Sequence, residues 1–190
     1  MTMKPLLLAI FLLPALCLAS TSKEIVEQIF TKSAQPEISK DIKLQDEVNA
    51  FVDYGHMAKE VLGAEYKKRK APELQWFEKM LKDIISLSVF PAAPDFLGKV
   101  NVSYKEVIEE GDVSKINSVV KHKGEETEVN YRLHKQGDSW KVYDIALDGE
   151  SWTDSIREEV QKILKKEGWA GLKKRLTKRL ETLSNKNKKS

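Results

Sequence analysis

"SWKVYDIALDGESW", residues 139–152, decides how this chain is read. Its residues are those of a strand, yet Val142, Tyr143, Ile145, Ala146 and Leu147 put apolar groups on both faces, with Asp144 among them. A strand with one wet face alternates. This one is therefore expected to be covered on both sides, by protein core on one and by something else apolar on the other. A carboxylate in that setting is costly unless it is hydrogen-bonded or paired. Asp144 is expected to meet a backbone N–H or Arg132 on the neighbouring strand, with a catalytic role as the alternative.

Working outward, residues 128–134, "EVNYRLH", alternate cleanly, with Val129, Tyr131 and Leu133 on one face and Asn130, Arg132 and His134 on the other. Residues 113–122 are rich in Val and Ile, and residues 100–107 alternate through Val102 and Tyr104. The turns "EEGD", "HKGEE" and "KQGDS" separate these runs. Four strands joined by short Gly-containing turns predict an antiparallel meander.

Helical spacing governs both flanks. Ile25, Val26, Ile29 and Phe30 form one stripe in residues 22–34. Residues 39–63 predict a helix capped by Ser39 and stopped by Gly63. Pro72 suits the first turn of the next helix, which carries Leu74, Phe77, Leu81, Ile84, Ile85 and Val89 and ends at the prolines of "FPAAPDFLG". After the sheet, Ser151 or Asp154 caps a helix bearing Ile156, Val160, Ile163 and Leu164 that stops at Gly168. A last basic helix bears Trp169, Leu172, Leu176, Leu180 and Leu183. The fold class is α+β: a twisted four-stranded antiparallel meander packed with N- and C-terminal helices.

The first nineteen residues differ from the rest. Lys4 precedes an apolar run from Pro5 to Leu18, and small residues follow. That is the pattern of a secretory signal peptide, cut after Ala19, and the run is short for a membrane span of ~20 residues. Leu16 is not the small residue that a lipidation site would place before Cys17. Without Cys17 the chain has no thiol, so disulfides, cysteine nucleophiles and cysteine metal sites drop out together. The expected organisation is a signal peptide over 1–19, one domain over 20–184 and a basic tail over 185–190.

Composition argues for an ordinary globular chain, with 41% hydrophobic and 32% charged residues. A net charge of +3 is too weak to point to nucleic acid. The segment from Lys173 to Lys189 is strongly basic, which is usually a solvated helix face. Attraction to anionic head groups or to an acidic partner is the sharper alternative.

Reactive motifs are missing. There is no G-x-S-x-G elbow, H-E-x-x-H pair, phosphate loop or G-x-G-x-x-G fingerprint. His56, His122 and His134 are scattered, and no metal-ligand spacing is present. Asp53 and His56 stand at i, i+3, the spacing of a capping aspartate. A hydrolase would have to be built from Asp53, His56 or Asp144. The surplus is apolar, and it fits either plain core or a cavity between sheet and helices.

Four blocks occur in order: "VDYGHMAKEVLG" (52–63), "EYKKRKAPELQWF" (65–77), "VNYRLHKQGDSWKVYDIALDGES" (129–151) and "EGWAGLKKRL" (167–176). Together they resemble the MlaC, or toluene-tolerance, family over roughly Ile25 to Leu180. Tyr131-Arg132 with Trp140 to Asp144 is the most specific block, and Met57 to Gly63 the second. The family usually has Trp where Tyr66 stands. It commonly shows Asn-Tyr-Arg-x-Gln-Phe where this chain runs from Ser155 to Val160 and keeps only Arg157.

The resemblance implies a periplasmic, monomeric, non-catalytic carrier in an ABC transport system that maintains outer-membrane lipid asymmetry. Helices and sheet would enclose an apolar pocket for phospholipid tails, with bound phospholipid as cargo and no cofactor. The partners implied are an inner-membrane ABC transporter complex and an outer-membrane lipoprotein complex, with transient proximity to membranes. From face periodicity the expected tail contacts are Val61, Leu62, Leu81, Ile84, Ile85, Val102, Tyr104, Tyr131, Leu133, Val142 and Ile145, with Tyr131 and Trp140 offering polar edges to a head group. Carriage of another apolar lipid of the hopanoid type, or a protein adaptor working through the basic helix, are the competing expectations.

Overall fold

The computed structural model describes residues 20–188. The signal-peptide reading of 1–19 and the last two residues of the basic tail lie outside the described residues.

Helix α1, Ser22–Ser33, opens with a reciprocal cap: Thr21 Oγ1 accepts the Glu24 N–H at 3.2 Å, and the Glu24 carboxylate accepts the Thr21 N–H at 2.8 Å. A 3₁₀ turn, Pro36–Ser39, leads to α2, Ile42–Asn49, and α3, Tyr54–Leu62. The sequence predicts one helix over 39–63, and the chain makes two. The break has a tertiary cause. The Asp53 N–H donates to the Val142 carbonyl at 2.8 Å, and the Phe51 carbonyl accepts from the Val142 N–H at 2.8 Å. Backbone groups spent on the sheet are lost to the helix. Asp41 then caps α2, and Asp53 caps α3 in place of Ser39. Helix α4, Ala71–Val89, has Pro72 in its first turn, and α5, Ala93–Leu97, follows.

Strands β1 (Asn101–Glu110), β2 (Val113–His122), β3 (Glu125–Gln136), β4 (Ser139–Leu147) and β5 (Glu150–Ser151) form one antiparallel sheet in that order. The expected four strands are therefore five. Asp148 and Gly149 both have positive φ, 47° and 86°, which is the geometry of a tight two-residue hairpin. The hairpin folds two more residues back onto β4, and Ser151 passes directly into helix α6.

A bulge in β4 explains why its residues look apolar on both sides. Arg132 pairs with Asp144, but the next residue, Leu133, pairs with Val142, so Tyr143 is the extra residue. The side-chain direction reverses there. Trp140 and Val142 before the bulge, and Ile145 after it, all join the core that α1 covers with Ile25, Val26, Ile29 and Phe30. Asp144 turns to the other face, where it accepts hydrogen bonds from Ser151 Oγ at 2.9 Å and Thr153 N at 3.0 Å. Arg132 Nε stands 3.6 Å from its second oxygen. The pairing expected for Asp144 is thus present, extended by the start of α6.

Helix α6, Trp152–Asn187, is one helix interrupted at Gly168, whose φ of 64° and ψ of −169° suit glycine almost alone. The arms 152–167 and 169–187 are the two helices predicted, parted at Gly168 as expected but continuous across the kink. Together with α3 and α4 they build a second core around Phe77, Val61, Leu62 and Leu172, all with no exposed surface. A third, smaller core joins Ile38, Leu44, Val48 and Phe90. No helix among the described residues is long and apolar enough to cross a membrane.

Candidate functional site

The arms of α6 and the second half of α4 enclose a cleft of about 610 Å³. Helix α4 contributes Leu81, Ile84, Ile85, Ser88 and Val89, the i, i+3, i+4, i+7, i+8 stripe of one helical face. The first arm of α6 adds Trp152, Ile156, Glu159, Val160 and Ile163. The second arm adds Arg175, Leu176, Lys178, Arg179, Thr182 and Leu183. Gly168 makes this possible, because a straight α6 would carry the second arm away from α4.

Both ends of the second arm are pinned. Leu172 is fully buried, and the Trp169 ring lies edge-on to Trp76 at 5.9 Å, with the Arg69 guanidinium 4.8 Å from its centre. Arg175 reaches back across the kink to Glu167, its Nε 2.9 Å from one carboxylate oxygen. At the far end Asn187 Nδ2 donates to the Leu87 carbonyl at 2.9 Å. Gln161 Nε2 ties the first arm to the Val61 and Leu62 carbonyls at 3.0 Å each. These contacts fix the walls, whose Leu81, Ile85, Ile156, Val160, Ile163 and Leu176 also pack in or against the second core.

Of the expected tail contacts, Leu81, Ile84 and Ile85 stand on the cleft wall. Val61 and Leu62 lie beneath it in the α3–α4–α6 core. Val102, Tyr104, Tyr131, Leu133, Trp140, Val142 and Ile145 belong to the sheet–α1 core, on the far side of the sheet from the α6 cap. Burial raises the Tyr131 phenol above its ordinary range, and burial with nearby Glu27 pushes Tyr104 up to about 12. The wall residues of α6 were visible as a helical stripe, but the sequence offers nothing to separate cleft from core on that stripe. Trp152 and Leu183 carry the clue that was available, as large apolar groups at the two ends of a helix pair.

The titratable groups form a separate cluster. Asp53 Oδ1 accepts the His56 N–H at 2.7 Å as the cap of α3, and its other oxygen lies 2.8 Å from His134 Nε2. The His56 ring lies tilted against His134 at 4.5 Å and Tyr143 at 4.4 Å. No side-chain hydroxyl is hydrogen-bonded to either histidine among the described residues. Nor, among them, could any group of three His, Cys, Asp or Glu hold a metal ion. The cluster reads as a joint between α3 and the sheet.

This joint predicts a pH effect. Burial first, and then the charge of His134, hold His56 below its ordinary range, against Glu60 and Asp53 acting the other way. The unfolded chain therefore takes up a proton near pH ~6.5 before the folded chain does. The stability tied to His56 is full above that pH and is lost as pH falls through the lower, folded value. Melting temperature is expected to drop between about pH 7 and about pH 5, and His56→Gln to flatten the drop. Equal slopes in the two proteins would contradict this.

The family model for "MlaC protein" matches residues 19–178. The match ends inside the second arm of α6, so Arg179, Thr182 and Leu183 on the cleft wall lie beyond it. No curated protein matches the chain in sequence. Among solved structures the chain is similar to a phospholipid-binding protein from Ralstonia solanacearum in complex with a phospholipid, with a TM-score of 0.74 and 19% identity. The likeness covers 87% of this chain and 98% of that one, and at this identity it is a likeness of fold.

Proposed function

The chain belongs to the MlaC family, and from that premise we propose that it is a non-catalytic carrier of phospholipid, which it holds by an acyl chain in the cleft between α4 and α6. The observation that carries this reading is the cleft itself. Its volume of about 610 Å³ falls in the ~300–1,000 Å³ range of ligand pockets. Its walls are mainly Leu, Ile, Val and Trp. The solved relative of the same fold is described as bound to a phospholipid, which fits the same cargo here.

Physics makes such a cargo stable. Each buried methylene contributes about 0.8 kcal/mol, so one long chain contributes on the order of 10 kcal/mol without any hydrogen bond. Release then needs a partner that opens the cleft or offers an equally apolar site. The second arm, held by Arg175 to Glu167 and by Asn187 to Leu87, is the wall that such a partner would have to release. The chain carries no nucleotide-binding motif, so the energy for transfer comes from the partner. In keeping with the family, the carrier would work in the periplasm, between an outer-membrane lipoprotein complex and an inner-membrane ABC transporter, and so maintain outer-membrane lipid asymmetry. The leader reading of residues 1–19 fits that route.

The test is organic extraction of protein purified without added lipid, followed by lipid analysis. A stoichiometric phospholipid is expected. Protein free of any lipid would contradict the carrier reading, and a polycyclic lipid in the extract would contradict the cargo assignment.

A further inference from the structure

Arg179 stands three residues after Leu176 and four before Leu183, and all three line the cleft. At 3.6 residues per turn they share one face of the helix. A solvent-exposed guanidinium therefore stands between Leu176 and Leu183 at the rim of the cleft. Neither Arg179 nor its neighbour Lys178 has a side-chain hydrogen bond or ion pair among the described residues. The third wall cation, Arg175, is already held by Glu167. Glu159, the acidic residue on the wall, acts on Arg175 from the first arm. The cleft is thus left with two cations that no carboxylate of the protein answers.

Both side chains are exposed, so they stay hydrated and can meet an anion at the cleft rim with little desolvation cost. The guanidinium fork matches the oxygens of a phosphate, and the lysine adds a second charge. We propose that Arg179 and Lys178 receive the phosphate and net-anionic head group of the cargo, so that the protein selects anionic over zwitterionic phospholipid. This rests on the carrier reading and adds to it: the cleft takes the chain, and these two residues choose the head group.

The experiment incubates the full protein with vesicles of equal parts phosphatidylglycerol and phosphatidylcholine of identical acyl chains. The protein is then separated, and its bound lipid is extracted and counted. Wild type is expected to prefer phosphatidylglycerol by about fivefold, which is about 1 kcal/mol at 1.4 kcal/mol per tenfold. The preference should weaken with added salt. In the lipid that the double variant Lys178→Gln, Arg179→Gln takes up, the two species should stand near parity. Parity in wild type, or an unchanged preference in the variant, overturns the proposal and leaves the carrier reading standing. Uptake of neither lipid overturns the carrier reading itself. A parallel arm adds inorganic phosphate at matched ionic strength. If phosphate raises the melting temperature of wild type but not of the variant, while lipid uptake shows parity, the pair is a free-phosphate site and head-group selection is overturned.

Discussion

Ile84→Glu is expected to strip the purified protein of phospholipid while leaving it folded. Ile84 lines the cleft, is only half-buried, and belongs to none of the three packed cores. Its loss therefore removes little packing, and glutamate is as good a helix former as the site needs. What changes is the lining. A carboxylate in the cleft must keep its water or take a cation as partner, and both occupy space that methylenes need. Desolvating it without compensation costs several kcal/mol, and every 1.4 kcal/mol is tenfold in affinity. Bound lipid should fall at least about tenfold by extraction, with an unchanged circular dichroism spectrum. Ile84→Leu, which keeps the wall apolar, should retain its lipid. Wild-type lipid content in Ile84→Glu would place the chain elsewhere.

Asp144→Ala should give the largest loss of stability. The side chain is 2% exposed and organises the junction between β4 and α6. One oxygen accepts from Ser151 Oγ and from the Thr153 N–H, and Ser151 Oγ in turn accepts the Asp154 N–H at 3.0 Å as the cap of α6. Alanine leaves these buried donors without an acceptor. Hydrogen bonds to a charged acceptor contribute ~1.5–3 kcal/mol each, so the two lost bonds give a loss of about 3–6 kcal/mol. For a chain of this length that lowers the melting temperature by roughly 6–24 °C. Arg132 is exposed and stays hydrated, so the broken ion pair adds little. Asn keeps an acceptor but not the charge, and should lose about half as much. A melting temperature unchanged in Asp144→Ala would contradict this structural role.

The sheet was legible because alternation is a local signal, and β2, β3 and β4 stand where their patterns put them. The two-sided look of β4 was legible as an anomaly but not as its cause. One extra residue at Tyr143 reverses the faces, and no pattern of hydrophobicity distinguishes that from a strand buried on both sides. The break between α2 and α3 was hidden for a different reason: it depends on a backbone bond to Val142, ninety residues away. The α4 half of the cleft could be read from its stripe, and Leu81, Ile84 and Ile85 are on the wall. In the α6 half both helices and their break at Gly168 could be read, but not the angle between them. Only the fold shows that the second arm lies over α4.

The central claim is that the acyl chain lies between α4 and α6, and not between the sheet and α1. A photo-reactive benzophenone amino acid placed at Leu183 on the cleft wall, and separately at Tyr104 in the sheet core, tests it by mass spectrometry of the irradiated protein. The account predicts a lipid adduct from position 183 and none from position 104. An adduct from position 104 alone would contradict it.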